Sequence, residues 1–388
     1  MRLLRALFRA ALAAVDPRRS VAGALSRPDV KGALARGRRV GVFAAGKAAE
    51  GMFLAAWRPG RDGLVVLPKG FPPPPRRAGV RVLFAAHPTP DSSSVRAARA
   101  ALRFFSSFGP DDVLLCLMSG GSSSLLCLPR PGLTLEQKVR AVGRLVRSGA
   151  PITEVNRLRT SLSAIKGGKL GQSTSARLVT LVVSDVPGDR PSLVGSGPTV
   201  RGRAADLTRV VASNRIGLRG AEREARRLGL VPRIRRQRLE GEAREVGRRL
   251  GRAGVRLAPG EAVLAGGETT VTLGRAPGRG GRSLEVALAA ALSMKGNPDA
   301  ALLAAGSDGR DGSSKAAGAI AGEWTLLRAR ELGLDPLRAL SSHDTEPFFE
   351  VVGGLVVTGP TGTNVADWAF GVVPRPGHGA QNMEHEKK

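Results

Sequence analysis

Cysteine and aromatic residues are scarce in this sequence, and tyrosine is absent. The 388 residues include two cysteines, three tryptophans and eleven phenylalanines. Cys116 and Cys127 are too few for a disulfide framework, and their spacing is not that of metal ligands. No apolar run approaches the ~20 residues that a transmembrane helix needs. We therefore expect a protein of a reducing compartment, the cytoplasm, without a membrane segment.

Acidic residues are also few compared with basic ones. The chain carries 60 Lys and Arg residues against 32 Asp and Glu residues, which gives a net charge of +28. Such an excess is typical of nucleic-acid-binding proteins, but the aromatic residues on which bases could stack amount to only 4%. The basic residues are scattered, and no helix-turn-helix, zinc or RNP signature is present. We therefore expect non-specific attraction to polyanions but no specific nucleic-acid partner.

Short apolar runs alternate with segments of helical character along most of the chain. Strands are predicted at residues 39–45, 63–67, 80–85, 112–118, 178–183, 262–265, 300–305 and 353–357. Helices are predicted between most of them, including residues 204–228 and 316–329. This alternation indicates an α/β protein, and the length suffices for two domains. The charged stretch 228–241 suits a boundary, so we predict domains at 1–235 and 236–372 and a disordered tail at 373–388.

One stretch combines a buried strand with two acids at its carboxyl end. The apolar run 178–183 leads into Ser184-Asp185-Val186-Pro187-Gly188-Asp189. Ligand crevices of open α/β sheets lie beyond the carboxyl ends of strands, so Asp185 and Asp189 suit a divalent metal or an activated hydroxyl. Asp, Pro and Gly are also ordinary turn residues, and a solvated turn is the alternative.

Two further strand ends suit a phosphate group. Lys47 stands just after the strand 39–45, where a lysine can reach phosphate, although Ala48 replaces the Ser or Thr of a complete P-loop. The segment 119–124, Ser-Gly-Gly-Ser-Ser-Ser, follows the strand 112–118 and offers backbone N–H groups to an anion. No acid about 20 residues further on completes a dinucleotide fingerprint, so phosphate or carboxylate is favoured over NAD.

Acids and small polar residues follow strands in the C-terminal half as well. They comprise Glu268, Asp308 with Asp311, and the turn cluster 358–364. Phosphoryl transfer needs cations and amide donors for the phosphates, acids that hold Mg²⁺, and an acid that orients the attacking hydroxyl. The sequence therefore predicts a phosphoryl-transfer enzyme.

The order of these motifs resembles that of the class II glycerate kinases, which phosphorylate D-glycerate on its 2-hydroxyl with ATP. Ten motifs match in family order over nearly the whole chain, at residues 45–49, 87–91, 119–123, 165–170, 184–189, 195–199, 266–270, 280–282, 308–312 and 358–364. The resemblance implies a larger, Rossmann-like N-terminal α/β domain and a smaller C-terminal α/β domain, with the active site in the cleft between them. It also implies a place in glycerate metabolism, including serine degradation.

The same resemblance implies roles for individual residues. Lys47, Arg282, Asp189 and Glu268 would be catalytic, with Lys47 and Arg282 on phosphate or on the glycerate carboxylate. ATP and Mg²⁺ would be the cofactors. The residues expected to bind the nucleotide are Ser119, Gly120, Gly121, Ser122, Ser123, Lys166 and Asn364. The residues expected to hold the metal are Asp185, Asp189 and Asp308, and either Asp185 or Asp189 would act as the base.

Several alternatives stay open at this point. A hydroxypyruvate reductase would need a nicotinamide site, and no Gly-x-Gly-x-x-Gly with a trailing acid is present. A catalytically degenerate member acting as a binding protein is suggested by Ser161, Ser283 and Ser307, where the family usually has His, Asn and Thr.

For the kinase itself, the product would be 2-phosphoglycerate with ADP, the substrate partner would be D-glycerate, and the protein would be a monomer or a homodimer.

Overall fold

The chain forms two compact units. The computed structural model describes residues 1–149, 152–234, 239–274 and 277–376. The parallel unit, as we call it, comprises Asp16–Ser213 and Gly362–Val365, and the mixed unit comprises Met1–Val15, Asn214–Thr361 and the residues from Ala366 onward. The predicted domain boundary at residues 235 and 236 lies outside the described residues, as do residues 377–388 of the tail predicted at 373–388.

Each unit contains a six-stranded sheet. The strands of the parallel unit are β1 Val40–Ala45, β2 Gly63–Pro68, β3 Val80–Ala85, β4 Val113–Met118, β5 Arg177–Ser184 and β6 Leu207–Ser213. The strands of the mixed unit are β7 Val231–Ile234, β8 Glu261–Gly267, β9 Ala301–Gly306, β10 Gly318–Gly322, β11 Leu355–Val356 and β12 Asp367–Val372. The predicted class, a Rossmann-like α/β domain with a second α/β domain, is confirmed.

Helices separate most of the strands. Numbered along the chain, they are α1 Arg2–Ala14, α2 Pro17–Leu25, α3 Pro28–Ala35, α4 Ala49–Ala56, α5 Ser92–Ser106, α6 Ser122–Leu125, α7 Leu135–Arg147, α8 Ile152–Ser161, α9 Lys169–Gln172, α10 Asn214–Arg227, α11 Ala243–Val255, α12 Arg282–Ala291, α13 Glu323–Glu331, α14 Pro336–Ser341 and α15 Thr345–Val352. Two short 3₁₀ turns occupy Pro187–Asp189 and Val194–Ser196. Within the described ranges, no helix is both long enough and apolar enough to cross a membrane.

The sheet of the parallel unit has the strand order β3-β2-β1-β4-β5-β6, and every neighbouring pair is parallel. Its central strands are continuous apolar runs because helices cover the sheet. Phe43 and Ala45 of β1 pack with Ala97, Ala101 and Phe105 of α5. The strand order reverses between β1 and β4, and this reversal is where open parallel sheets bind ligands.

The sheet of the mixed unit has the order β11-β10-β9-β12-β8-β7, with β7 parallel to β8 and the other neighbours antiparallel. Helix α12 lies against β9 and β10 and is buried along nearly its whole length. Gly247 and Gly251 let α11 approach it closely, since a Cβ on Gly247 would lie 2.5 Å from the Val286 carbonyl oxygen. This packing fixes the position of α12, whose first residue is Arg282.

Four strands, β6, β7, β10 and β12, were not expected from the sequence. Helices were predicted over residues 204–228 and 316–329, but β6 occupies part of the first segment and β10 part of the second. β12 lies where no strand was predicted. β6 pairs with β5, β10 lies between β9 and β11, and β12 lies between β8 and β9. β10, Gly-Ala-Ile-Ala-Gly, has a weak strand preference that pairing with its neighbours overrides. β6 and β12 contain strand-favouring Val, Thr, Trp and Phe residues, so their sequence signal was present and was overlooked.

Candidate active site

Three loops of the parallel unit follow adjacent strands at the point where the strand order reverses. Lys47 comes after β1, the segment 119–123 comes after β4, and Asp185 comes directly after β5. These strands are neighbours in the sheet and run parallel, so their carboxyl ends share one edge. The sheet order therefore brings together three groups that lie up to 138 positions apart in the sequence.

The backbone of Gly120 lies very close to polar side chains of two other segments. A Cβ at this position would collide with Oδ2 of Asp185 and would lie 2.7 Å from its Cγ and 3.3 Å from Nδ2 of Asn364. Only glycine leaves room for both polar groups beside the main chain. Asn364 belongs to the parallel unit although it lies close to the end of the chain. The structure thus places two predicted site residues, Asp185 and Asn364, against a third.

Lys47 lies beside the adjacent glycines Gly120 and Gly121. Its backbone N–H donates to the Gly120 carbonyl at 2.9 Å, and a Cβ on Gly121 would lie 3.3 Å from the Lys47 Cγ. The same hypothetical Cβ would lie 3.2 Å from Nε2 of His87. Partial burial, and secondly the Lys47 ammonium, lower the pKa of His87. His87 was not among the predicted site residues, although the His-Pro-Thr-Pro-Asp motif after β3 was a signal for it.

The serine-rich segment is less open than its sequence indicates. Ser119 is fully buried, and its Oγ accepts a hydrogen bond from the Ala48 backbone N–H at 3.1 Å. The N–H groups of Ser122 and Ser124 donate to the carbonyls of Ser119 at 3.4 Å and Gly121 at 3.1 Å. These two amides are therefore used within the turn, and the Ser119 side chain joins the two loops rather than facing a ligand.

Lys166 lies beside this segment in the interior. Its side chain is 2% exposed, and its ammonium donates to the backbone oxygen of Ser123 at 2.8 Å and to the Ser123 Oγ at 2.7 Å. Burial lowers the pKa of Lys166 to about 7, and the charges of Lys138 and Arg159 act in the same direction. This environment suits a residue that supports the segment 119–123, while direct contact with a nucleotide stays a prediction.

Asp189, the second acid of the predicted pair, has a left-handed backbone with φ of 53°. Non-glycine residues rarely adopt this conformation, and it occurs preferentially at functional sites. The residue is half-buried, and its N–H donates to the Val186 carbonyl at 3.3 Å. Asp185 and Asp189 belong to the parallel unit and Asp308 to the mixed unit. Across the described ranges, no three Asp, Glu, His or Cys side chains are grouped as metal ligands.

The mixed unit holds Arg282 between carboxylates. Nε and Nη2 of Arg282 donate to the two oxygens of Asp367 at 2.5 and 3.1 Å, and Nη1 pairs with Glu268 at 2.5 Å. The Asp367 side chain is 7% exposed, whereas Arg282 is 35% and Glu268 is 51% exposed. Burial opposes the charge of Arg282, but Asp367, Glu268 and Asp311 outweigh it and raise its pKa. The bidentate pair fixes the direction of the guanidinium, and Glu268 faces solvent.

Two buried acids that were not predicted as site residues support Arg282. Asp311 is 2% exposed, and its two oxygens accept from the N–H groups of Ser283 at 3.0 Å and Leu284 at 2.7 Å, which caps the first turn of α12. Burial raises the pKa of Asp311 to about 7 and also raises the pKa of Asp367. Asp311 lies in the Asp-Gly-Arg-Asp-Gly motif, so its sequence signal was present, whereas Asp367 stands in an unpredicted strand.

The loop after β9 places Asp308 near the same group. Its Oδ1 accepts from the Arg310 N–H at 3.1 Å, and its backbone oxygen accepts from the Thr361 N–H at 3.3 Å. The charge of Asp308 contributes to the raised pKa of Asp367. The structure therefore gathers Arg282, Glu268 and Asp308 in the mixed unit, and Lys47, Gly120, Asp185 and Asn364 in the parallel unit.

Comparison with known proteins assigns this arrangement to a family. Residues 3–227 match the family described as "Domain of unknown function (DUF4147)", and residues 261–367 match the MOFRL family. A glycerate 2-kinase from Pyrococcus horikoshii is 32% identical, covering 94% of this chain and 95% of that protein. A protein of Agrobacterium vitis with the provisional name hydroxypyruvate reductase is 40% identical, covering 94% of this chain and 92% of its own.

A solved structure agrees with the sequence matches. The crystal structure of a glycerate kinase from Thermotoga maritima superposes with a TM-score of 0.85 at 30% identity, covering 96% of this chain and 99% of that one. The two family models together span most of the chain, in the same order as the motifs around Lys47, Asp185, Glu268 and Asp308. The chain belongs to the class II glycerate kinase family.

Proposed function

We propose that this protein transfers the γ-phosphoryl group of ATP to the 2-hydroxyl of D-glycerate, giving 2-phosphoglycerate and ADP. The observation that carries the proposal is the meeting of Lys47, Asp185 and Asn364 at the bare backbone of Gly120 and Gly121. A cation, an acid and an amide at this edge of a parallel sheet suit a phosphate with its counter-ion. Relatives that are named glycerate 2-kinase support the choice of acceptor.

The residues beside Gly120 fit a nucleotide with Mg²⁺. Mg²⁺ is usually held by one or two carboxylates together with substrate phosphates, and Asp185 and Asp189 can supply that number. The collision that a Cβ on Gly120 would make with Asp185 indicates that the space beside this carboxylate must stay free of side chains. When bound, ATP would supply the phosphoryl group and Mg²⁺ would neutralise charge on its oxygens.

The predicted catalytic residues would contribute different parts of the chemistry. The Lys47 ammonium would hold phosphate oxygens and stabilise the charge that they gain during transfer. Asp185 or Asp189 would accept the proton of the 2-hydroxyl. Arg282, held in direction by Asp367, would bind the glycerate carboxylate in place of its solvent-facing partner Glu268, because an exposed ion pair is weak and easily exchanged.

A nicotinamide-dependent reduction of hydroxypyruvate is the second candidate, because a 40% identical relative carries that name. The loop after β1 reads Gly46-Lys47-Ala48-Ala49, and a dinucleotide fingerprint would need further glycines at this place. The Lys47 side chain beside Gly121 suits an ionic contact with a phosphate group. It suits less well the pyrophosphate of a dinucleotide, which needs a bare backbone at close range.

The test is product analysis after incubation with ATP, Mg²⁺ and D-glycerate. We expect ADP and a phosphoglycerate whose ³¹P signal is split by a single proton, since C2 carries one hydrogen and C3 carries two. A parallel assay follows NADH oxidation with hydroxypyruvate. A triplet ³¹P signal would overturn the 2-position, and NADH oxidation without ADP formation would overturn the kinase.

A further inference from the structure

Four cationic side chains of the parallel unit are near enough to influence one another's pKa, and one of them, Lys166, donates to Ser123 of the segment 119–123. We call Lys138, Arg159, Lys166 and Lys169 the cation cluster. Lys138 belongs to α7, Arg159 to α8, Lys166 to the turn before α9 and Lys169 to the start of α9, and α7 packs on α8. Lys138 and Lys166 are buried, whereas Arg159 and Lys169 are half-buried. The cluster therefore has an interior part and a part that reaches toward solvent.

Lys138 is the unusual member of the cluster. Its side chain is 3% exposed, and its ammonium has no hydrogen-bond partner in the described part of the chain. Burying an ammonium without a partner costs several kcal/mol, about the range for other uncompensated buried charges. The two residues between α7 and α8 that lie outside the described ranges are Ala150 and Pro151, which bring no charged side chain.

The other members of the cation cluster do not neutralise the charge of Lys138, because they are cations themselves. Lys169 donates to the carbonyls of Thr160 at 3.2 Å and Ser163 at 2.7 Å, and Lys166 donates to Ser123. After burial, the groups that affect the pKa of Lys138 most are Cys127, which raises it, and Lys169 and Arg159, which lower it; none of the three is a carboxylate. Burial, followed by these cations, lowers the pKa of Lys138. An anion is the partner that this environment lacks.

We propose that the cation cluster binds a phosphate group through Lys138, Arg159 and Lys169. The Lys138 ammonium has three N–H donors without a partner in the described part of the chain. Lys169 uses two of its three donors on carbonyls and has one left. Arg159 offers a planar fork that matches two phosphate oxygens. The three cationic side chains carry more positive charge than a single carboxylate would neutralise, so the multiply charged phosphate is the better match. Lys166 links this site to Ser123 and hence to the loop after β4.

Two molecules of the proposed reaction could supply the phosphate: the nucleotide and the phosphorylated product. Assigning either as the source rests on the proposed function, whereas the site itself does not. Inorganic phosphate is therefore the primary probe, and ADP and 2-phosphoglycerate are the comparison arms. Loss of kinase activity alone says nothing about this site, and phosphate binding alone says nothing about the reaction.

The experiment compares thermal unfolding of the full chain and of Lys138→Met in phosphate-free buffer and during titration with inorganic phosphate. We expect phosphate to raise the Tm of the unmodified protein saturably. Without phosphate, Lys138→Met should unfold at the same or a higher temperature, because an unpartnered buried charge is replaced by an apolar chain. Its affinity for phosphate should fall by at least about tenfold. A merely structural lysine would show the opposite pattern, a lowered Tm with an unchanged phosphate response.

Two further variants keep the test decisive. Lys31→Met, at an exposed lysine of α3, should respond to phosphate like the unmodified protein. Arg159→Gln should weaken phosphate binding and gives the answer if Lys138→Met does not fold. A phosphate response that survives in both Lys138→Met and Arg159→Gln would overturn the site. A stronger shift with ADP than with 2-phosphoglycerate would support the nucleotide as the source, and the reverse would support the product.

Discussion

Lys47 and Lys166 differ in solvent exposure although they occur in similar sequence contexts. Lys47 and Lys166 each stand beside glycines in a matched motif, and both were predicted to contact substrate or nucleotide. Lys47 is half-buried beside Gly121, so part of its side chain is exposed to solvent. Lys166 is 2% exposed and bonded to Ser123, so its nearest role is to support the loop. No local pattern distinguishes the two, because exposure depends on what α6 to α9 place around them.

Replacing Lys47 tests the phosphate side of the proposed site. We expect Lys47→Ala to lower kcat/KM for glycerate phosphorylation by about 10²–10³-fold, the usual loss when one stabilising donor is removed. The free energy of unfolding should change by less than about 1 kcal/mol, because the residue is half-buried and its backbone bond to Gly120 is kept. Steady-state kinetics and urea unfolding measure the two effects. Lys31→Ala is the control, and near-normal turnover in Lys47→Ala would exclude this role.

Arg282 and Asp367 allow stability and activity to be separated. We expect Arg282→Ala to abolish most activity and to lower the free energy of unfolding by about 2 kcal/mol, less than for a fully buried pair because Arg282 is partly exposed. The stability loss arises because the Asp367 carboxylate, 7% exposed, loses its bidentate partner. Adding Asp367→Asn should restore stability without restoring activity. Urea unfolding and kinetics of both variants test this.

The matched control is Arg279→Ala in the same loop. Arg279 is 57% exposed, pairs with the exposed Glu350 at 2.9 Å and lies 3.6 Å from the buried Glu346. Its removal should cost less than about 1 kcal/mol, because Glu346 keeps its hydrogen bonds from Ser314 and Lys315. If Asp367→Asn failed to recover the stability of Arg282→Ala, an unpaired carboxylate could not be the cause of the loss.

Helix α12 shows how a whole element holds a reactive side chain in place. Its first residue is Arg282, its first turn is capped by Asp311, and its side is packed against Gly247 of α11. One turn further on, the buried Glu285 pairs with Nδ1 of His343 at 2.7 Å. The helix is therefore tied at its start, along its side and from the loop before α15, which keeps Arg282 in a defined orientation.

Asp311 makes the stability of this element depend on pH. Burial raises its pKa from 3.8 to about 7, so between these values the folded protein keeps a proton that the unfolded chain has lost. The free energy of unfolding should therefore fall as pH rises through this window. Asp311→Asn should make that slope shallower by up to about 1.4 kcal/mol per pH unit. Urea unfolding from pH 4 to pH 8 measures the slope, and an unchanged slope would contradict the raised pKa.

Elements with strong local patterns were predictable, and those that depend on partners were not. β1, β2, β4 and β5 are near-continuous apolar runs, which is why their strands were expected close to where they lie. β10, Gly-Ala-Ile-Ala-Gly, has little strand preference of its own and exists because β9 and β11 pair with it. β12, Asp-Trp-Ala-Phe-Gly-Val, does contain strand-favouring Trp, Phe and Val; this signal was overlooked, and Asp367 was missed with it.

The net charge is a property of the whole molecule and predicts behaviour unrelated to the site. With +28 spread over many segments, the protein should bind DNA at low salt without sequence preference. We expect retention on immobilised DNA to be lost as salt rises and to be competed equally by unrelated sequences and by heparin. Retention that survives high salt for one sequence only would contradict this interpretation and favour a specific nucleic-acid partner.

The sequence by itself determined the chemistry and the family. Ten motifs in order carry the identity of Lys47, Asp185, Glu268 and Arg282, because glycines, acids and cations after apolar runs are readable without a fold. Only the tertiary structure decided which groups meet. Asn364 reaches Gly120, Asp367 holds Arg282, and Lys138 stays buried without a hydrogen-bond partner among the described residues. Strand order and helix packing, rather than separation along the chain, set these distances between side chains.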